Sequence, residues 1–130
     1  MFAMDGDAWW RKVGEDSLVV KERIIENIKT IVLKCNKEKQ ALILCSILPS
    51  DIAPPYKKDE RNQMIIDVNL QIKEICNENE LLYVDYHLGM VQKDGRTLIY
   101  EYSPDGIHPS AEGYKVMASI LHNQLKKITK

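Results

Sequence analysis

The chain has 130 residues, enough for one domain and too few for two. Its formal net charge of −1 argues against nucleic acid or an anionic membrane surface as a partner. No apolar run reaches the roughly 18 residues that a membrane span requires. The three cysteines, Cys35, Cys45 and Cys76, are odd in number and lack a C-x-x-C spacing. We therefore expect free buried thiols and, from their reduced state, a cytoplasmic location.

Three segments carry apolar residues at steps of three and four, the period of an amphipathic helix. The first begins at Asp16 or Ser17, which suit an N-cap, and its predicted inward face is Leu18, Ile24, Ile25, Ile28, Ile31, Val32 and Cys35. The second runs from about Asp59 to Asn79, and its predicted inward face is Ile65, Val68, Ile72, Ile75 and Cys76. The third begins at Pro109, where Ser110 can add a capping contact, and is predicted to bury Tyr114, Met117, Ala118, Leu121, Leu125 and Ile128.

Two nearly continuous apolar runs, residues 41–48 and 81–86, are typical of strands covered on both faces of a parallel sheet. Residues 1–4 could form another strand, and residues 97–102 an extended loop or a sheet edge. Strands that alternate with helices predict an α/β fold, a three-layer sandwich with right-handed crossovers. Ligands of such folds bind beyond the carboxyl ends of the strands. Here those segments are residues 5–10, 49–58 and 86–109.

The segment "SPDGIHPSAEGYKVMA", residues 103–118, holds the most specific pattern. Asp105 and His108 stand three residues apart in a turn shaped by Pro104 and Gly106. A carboxylate in this position can accept from Nδ1–H of the imidazole, which fixes the tautomer and leaves Nε2 as a base for a hydroxyl nucleophile. The same spacing also occurs as a purely structural hydrogen bond, so the pattern alone leaves both interpretations open.

The stretch "DGIHPSAEGYKVMA" resembles the last block of the SGNH (GDSL-type) hydrolases, D-x-x-H-P-x-x-x-G-Y. "ALILCSILPSD" and "VNLQIKEICNENELLYVDY" resemble the strands and helix that precede this block. The resemblance implies that residues 1–130 are one domain, the C-terminal part of a flavodoxin-like hydrolase fold with strands three, four and five of five. It also implies that Asp105 and His108 complete a Ser-His-Asp triad that hydrolyses acyl esters.

The family's nucleophile block has no convincing counterpart. "MDGD", residues 4–7, is the best match to the oxyanion block G-x-N-D, with Gly6 in place of Asn and Asp7 retained as a possible relic. "VGEDSLVV", residues 13–20, differs from G-D-S-L by one inserted glutamate. Ser17 follows no apolar strand and precedes an amphipathic helix directly, so we interpret it as a helix-start residue. Its recruitment as a nucleophile is the less favoured alternative.

These observations predict an esterase portion that is weak or inactive alone. A second hypothesis is a non-catalytic module that binds a carbohydrate or acyl ligand through Trp9, Trp10 and residues 88–104. Packing of the two tryptophans beneath the sheet is the favoured alternative for those residues. A sheet without strands one and two would expose an edge and an apolar face. We therefore expect a homodimer, or pairing with an N-terminal fragment. No motif predicts a metal or a cofactor.

Overall fold

The structure, a computed structural model, describes residues 17–52 and 58–128. In chain order the elements are α1 (Ser17–Lys37), β1 (Ile43–Cys45), α2 (Lys58–Glu78), β2 (Leu82–Val84), α3 (Tyr86–Met90), a 3₁₀ helix (Tyr100–Tyr102) and α4 (Ala111–Ile128). The three long helices and both strands lie where the sequence predicts them, in an α/β arrangement. The strand predicted at residues 1–4 lies outside the described residues.

The two strands pair in parallel, with Leu44 opposite Tyr83 in the register. This confirms the predicted strand direction, but each strand is shorter than its apolar run. Beyond β1 the ladder continues for one bond, from Ser46 N–H to the Val84 carbonyl (2.9 Å). The next residue, Ile47, instead gives its backbone groups to the Asn69 side chain. The sheet ends here because a side-chain amide replaces the neighbouring strand.

The main core lies between α1, α2 and the sheet face that carries Leu44. All five residues predicted to face inward from α2 are buried. On α1 four of the predicted residues are buried: Ile24, Ile25, Ile28 and Val32. The prediction was wrong for Leu18 and Ile31, which are 51% and 42% exposed. They flank the apolar stripe of α1, and α2 and the sheet cover only the middle of that stripe.

The opposite face of the sheet has a smaller core. Successive side chains of a strand alternate between faces, so Val84 faces away from Tyr83, and it is fully buried together with Met90 and Leu98. α4 packs against α3, the 3₁₀ helix and β2.

The prediction for α4 was only partly right. Met117, Leu121 and Leu125 are half-buried, whereas Tyr114, Ala118 and Ile128 are exposed. The helix also begins two residues after the predicted Pro109. Its apolar period was read correctly, but the period does not show how much of the stripe another element covers.

The cysteines are free thiols, as predicted. Cys76 is buried, but Cys35 and Cys45 are partly exposed, which corrects the expectation that all three are buried. Burial raises the pKa of the Cys45 and Cys76 thiols, which keeps them protonated and poor nucleophiles at neutral pH.

Two buried asparagines of α2 hold the segment that leaves β1. Asn69 bonds both backbone groups of Ile47, with Oδ1 2.7 Å from the nitrogen and Nδ2 2.9 Å from the carbonyl. Asn62 does the same for Ser50, at 2.9 Å each, and its Oδ1 also accepts from the Ser50 hydroxyl at 2.8 Å. Seven residues make about two helical turns, so both amides lie on one face of α2. They satisfy backbone groups that the sheet no longer pairs.

We expect Asn62→Ala to lower the free energy of unfolding by about 1–3 kcal/mol, because it leaves the buried N–H and hydroxyl of Ser50 without the oxygen that accepts from both. Urea denaturation at neutral pH measures this change. Asn77→Ala, at an exposed position of the same helix, is the matched control and should stay within about 0.5 kcal/mol of the parent chain. Equal losses in the two variants would contradict the role assigned to Asn62.

Candidate active site

The turn from Asp105 to His108 brings the two predicted site residues into contact. His108 Nδ1 lies 2.8 Å from Asp105 Oδ2. The other carboxylate oxygen, Oδ1, accepts from the backbone N–H of His108 (2.7 Å) and of Ile107 (2.8 Å). Hydrogen bonds hold the pKa of Asp105 well below its usual range. The largest contribution comes from the backbone N–H of His108, followed by the His108 side chain and the backbone N–H of Ile107. Asp105 is therefore an ionised acceptor at neutral pH.

This contact determines which chemistry the imidazole can perform. With Nδ1–H donated to the carboxylate, the tautomer assigned from the contact leaves a lone pair on Nε2. The His108 side chain is 77% exposed, so a hydroxyl or a water molecule can reach it. The arrangement can accept a proton at Nε2 and stabilise the resulting imidazolium through Asp105.

Ser103 also contacts both residues of this turn, a role that the sequence analysis did not predict. It is 2% exposed, and its Oγ lies 2.8 Å from the His108 carbonyl and 3.2 Å from Asp105 Oδ1. Serine before a turn often bonds to nearby backbone, and that tendency was the available signal.

The loop that follows β1 contacts the backbone of the turn. The Gly106 carbonyl accepts from Asp51 N–H at 2.9 Å, and Gly106 has a φ of +79°. A Cβ at this position would collide with the Asp51 carbonyl. Asp51 also forms an ion pair with Lys58 at 3.0 Å and directly follows Ser50, which Asn62 holds. The candidate site therefore lies beyond the carboxyl end of β1, as expected for an α/β sheet.

The start of α4 fixes the other side of the turn. Ser110 Oγ accepts from the backbone N–H of Gly113 at 3.2 Å and donates to the Glu101 carbonyl at 2.9 Å. Ser110 thus caps α4, as predicted, and this explains why the helix begins at Ala111. A Cβ on Gly113 would strike the Tyr102 carbonyl, so this glycine permits close packing of α4 on the 3₁₀ helix.

The remaining predicted site residues are not brought together by the described part of the chain. Gly6, Asp7, Trp9 and Trp10 lie outside it. Ser17 is the first residue of α1, and its side chain is not described. Among the serine side chains that the structure describes, none lies within hydrogen-bond distance of His108 Nε2.

His87 follows β2 but differs from His108. Its Nε2 is buried and makes no hydrogen bond within the described residues. Burial lowers the pKa of His87, and the nearby Asp85 carboxylate opposes that change only in part. His87 is a neutral, packed side chain, whereas His108 is exposed.

Within residues 17–52 and 58–128, no three His, Cys, Asp or Glu side chains converge as metal ligands. Over the same ranges, no helix combines the length and the apolar character that crossing a bilayer requires.

Residues 7–116 match the family model described as GDSL-like Lipase/Acylhydrolase, so the chain belongs to that family. Among curated proteins, no sequence matches the chain.

Solved structures show the same fold. A GDSL-like lipase from Bacteroides thetaiotaomicron is 28% identical, with a TM-score of 0.73 over 83% of this chain and 53% of the lipase. A Bacteroides fragilis protein assigned as an acylhydrolase is 27% identical, with a TM-score of 0.73 over 85% of this chain and 53% of that protein. An acetyl-xylooligosaccharide esterase from Geobacillus is 18% identical, with a TM-score of 0.62 over 80% of this chain and 46% of the esterase. The chain spans about half the length of these structures.

Substitution of two glycines with positive φ tests how much the close contact between the turn and the loop after β1 contributes to stability. A Cβ added at Gly95 (φ +72°) would meet no described atom within 4 Å, whereas one added at Gly106 (φ +79°) would strike the Asp51 carbonyl. Gly95→Ala should cost about 1 kcal/mol, the strain of the left-handed backbone alone. Gly106→Ala should cost about 1–3 kcal/mol more, since it also forces the two loops apart. Chemical denaturation of both variants measures the difference, and equal costs would show that the close contact contributes nothing.

Proposed function

We propose that the chain supplies the histidine and aspartate of an acyl-ester hydrolase. The observation that carries this proposal is the 2.8 Å contact between His108 Nδ1 and Asp105 Oδ2 in a chain of the GDSL-like family. Asp105 orients the imidazole and offsets its positive charge, and His108 Nε2 is the general base. The substrate class is an acyl ester, of which the acetylated sugar cleaved by the Geobacillus esterase is one form.

In the proposed reaction, His108 Nε2 takes the proton of a serine hydroxyl as its Oγ attacks the acyl carbonyl. The tetrahedral intermediate collapses, and the imidazolium returns that proton to the leaving alkoxide. Water, deprotonated by the same Nε2, then hydrolyses the acyl-serine and restores the hydroxyl. The serine comes from polypeptide outside the described residues, in a preceding segment or another chain. Ser17 is the less favoured candidate within this chain.

The chain alone is expected to be a poor catalyst. Removal of a single oxyanion-hole donor costs about 10²–10³ in rate, and the best match to the oxyanion block keeps only Asp7, with Gly6 in place of asparagine. Without a serine, the pair can activate only water. Such activity would be slow but would depend on His108.

Hydrolysis of p-nitrophenyl acetate by the chain tests this proposal. We expect slow turnover above the buffer rate, and His108→Ala should reduce it by about 10²-fold, the lower range of general-base contributions. His122→Ala, at an exposed histidine of α4, is the matched control and should keep the parent rate. Equal losses in both variants, or none in either, would contradict a role for His108 as the base. An acetyl-enzyme burst that Ser17→Ala abolishes would assign the nucleophile to Ser17.

The second candidate function is ligand binding without catalysis. Exposed apolar and aromatic side chains of α3, the 3₁₀ helix and α4 favour it: Leu88 is 75% exposed, Tyr100 65% and Tyr114 59%. Aromatic surfaces of this kind stack on sugar rings or acyl chains. Trp9 and Trp10 would extend that surface under this hypothesis.

We also propose that the chain self-associates as a homodimer. Ile43 is 39% exposed on β1, and strand alternation puts it on the face opposite Leu44. The chain spans about half of the solved structures that it matches, and the proposed pairing surface is the one that the other half of such a structure would occupy. A two-fold pairing would cover the same surface on both copies.

Sedimentation velocity at micromolar concentration should show a dimer. Ile43→Lys should raise the dissociation constant by about tenfold or more, because it puts a charge at an apolar contact. Leu33→Lys changes a side chain of α1 that is 69% exposed and is the matched control. A parent chain that stays monomeric would overturn the homodimer and leave an N-terminal fragment as the partner to test.

A further inference from the structure

We propose that Ser103 is a positioning residue that keeps the Asp105 carboxylate turned toward His108 Nδ1. The consequence for catalysis rests on the proposed hydrolase function, but the geometry and its test do not. No sequence pattern assigns this role to Ser103, since the family-like block begins at Asp105.

The first observation is the contrast in burial. Ser103 is 2% exposed, whereas the side chains of Asp105 and His108 are 56% and 77% exposed. The Ser103 backbone is held on both sides, with its N–H bonded to the Tyr100 carbonyl and its carbonyl to the Gly106 N–H, each at 3.1 Å. A fixed, buried hydroxyl therefore lies beneath an exposed pair.

The second observation is where this hydroxyl points. It lies 2.8 Å from the His108 carbonyl and 3.2 Å from Asp105 Oδ1, so its single proton serves one acceptor at a time. These two acceptors stand at opposite ends of the turn. Ser103 thus joins the residue that carries the carboxylate to the residue that carries the imidazole.

Ser103 also limits the rotation of the Asp105 carboxylate plane. Backbone N–H groups of Ile107 and His108 already donate to Oδ1, and Ser103 becomes a third donor to the same oxygen whenever its proton turns from the His108 carbonyl to the carboxylate. A carboxylate is planar, so fixing Oδ1 also fixes the direction of Oδ2. That direction is the one in which Oδ2 accepts from His108 Nδ1.

Loss of the hydroxyl would act on both ends of the turn. The His108 carbonyl would lose its 2.8 Å donor, and the exposed carboxylate would be freer to rotate toward water. The imidazole would then spend more time with its proton on Nε2, a tautomer that cannot accept a proton from a hydroxyl at that nitrogen.

The tautomer ratio of His108 tests this proposal directly. Nitrogen-15 NMR at a pH where the ring is neutral measures the ratio of the Nδ1–H to the Nε2–H form. In the parent chain the Nδ1–H form should dominate. Ser103→Ala should lower the ratio by about fivefold, the size expected for one hydrogen bond, toward the value of Asp105→Asn. Ser119→Ala, at an exposed serine of α4, should leave it unchanged.

A second variant keeps the proposal testable if Ser103→Ala does not fold. Ser103→Cys retains the size of the side chain with a much weaker donor, and it should also lower the ratio. An unchanged tautomer ratio in a folded variant would overturn the proposal. If that variant were also less stable, the role of Ser103 would be to stabilise the turn alone. A parent ring that is mainly Nε2–H would overturn it as well. A chain with the predicted tautomer shift but no His108-dependent ester hydrolysis would contradict the proposed function and leave the role of Ser103 intact.

Discussion

The described fold depends on two side-chain amides that take over where the parallel sheet stops. β1 pairs with β2 over three residues, and the chain then leaves that ladder with backbone groups that β2 does not pair. Asn69 and Asn62 bond those groups from α2, at Ile47 and Ser50. A buried amide left without partners would be costly, so α2 is favoured in the one position in which Asn69 faces Ile47 and Asn62 faces Ser50. It fixes α2 relative to β1 and sets the path of the loop that leaves the sheet.

That path determines where the Asp105–His108 turn can lie. Ser50 is held by Asn62, and the next residue, Asp51, donates its N–H to the Gly106 carbonyl. Gly106 stands between the two site residues, so α2 positions the turn through the Asn62 side chain at Ser50 and the backbone bond from Asp51 to Gly106. The capped start of α4 holds the other end through Ser110 and Glu101. The site is exposed, yet its backbone is anchored on both sides.

The elements of the fold were predictable where the signal is local. Apolar periodicity located α2 because its whole stripe is buried, and the spacing of Asp105 and His108 predicted their contact because three residues of a turn suffice to form it. Asn62 and Asn69 gave no such signal, since their partners are 12 and 22 residues away. The exposed Tyr114 and Ile128 show the same limit. Periodicity identifies an apolar face, but what covers that face depends on tertiary structure.

The two halves of a triad place different demands on a polypeptide. The base and its orienting carboxylate need only a turn and the groups beneath it, and the contacts that build this one all come from residues 50–113. Under the proposed function, a nucleophile must instead be brought to the imidazole from a separate element, because no described serine side chain lies within hydrogen-bond distance of Nε2. The described residues therefore hold the Asp105–His108 contact without any serine side chain bonded to Nε2. The orientation of His108 is a property of the described residues, whereas the proposed hydrolysis also requires a hydroxyl nucleophile at Nε2.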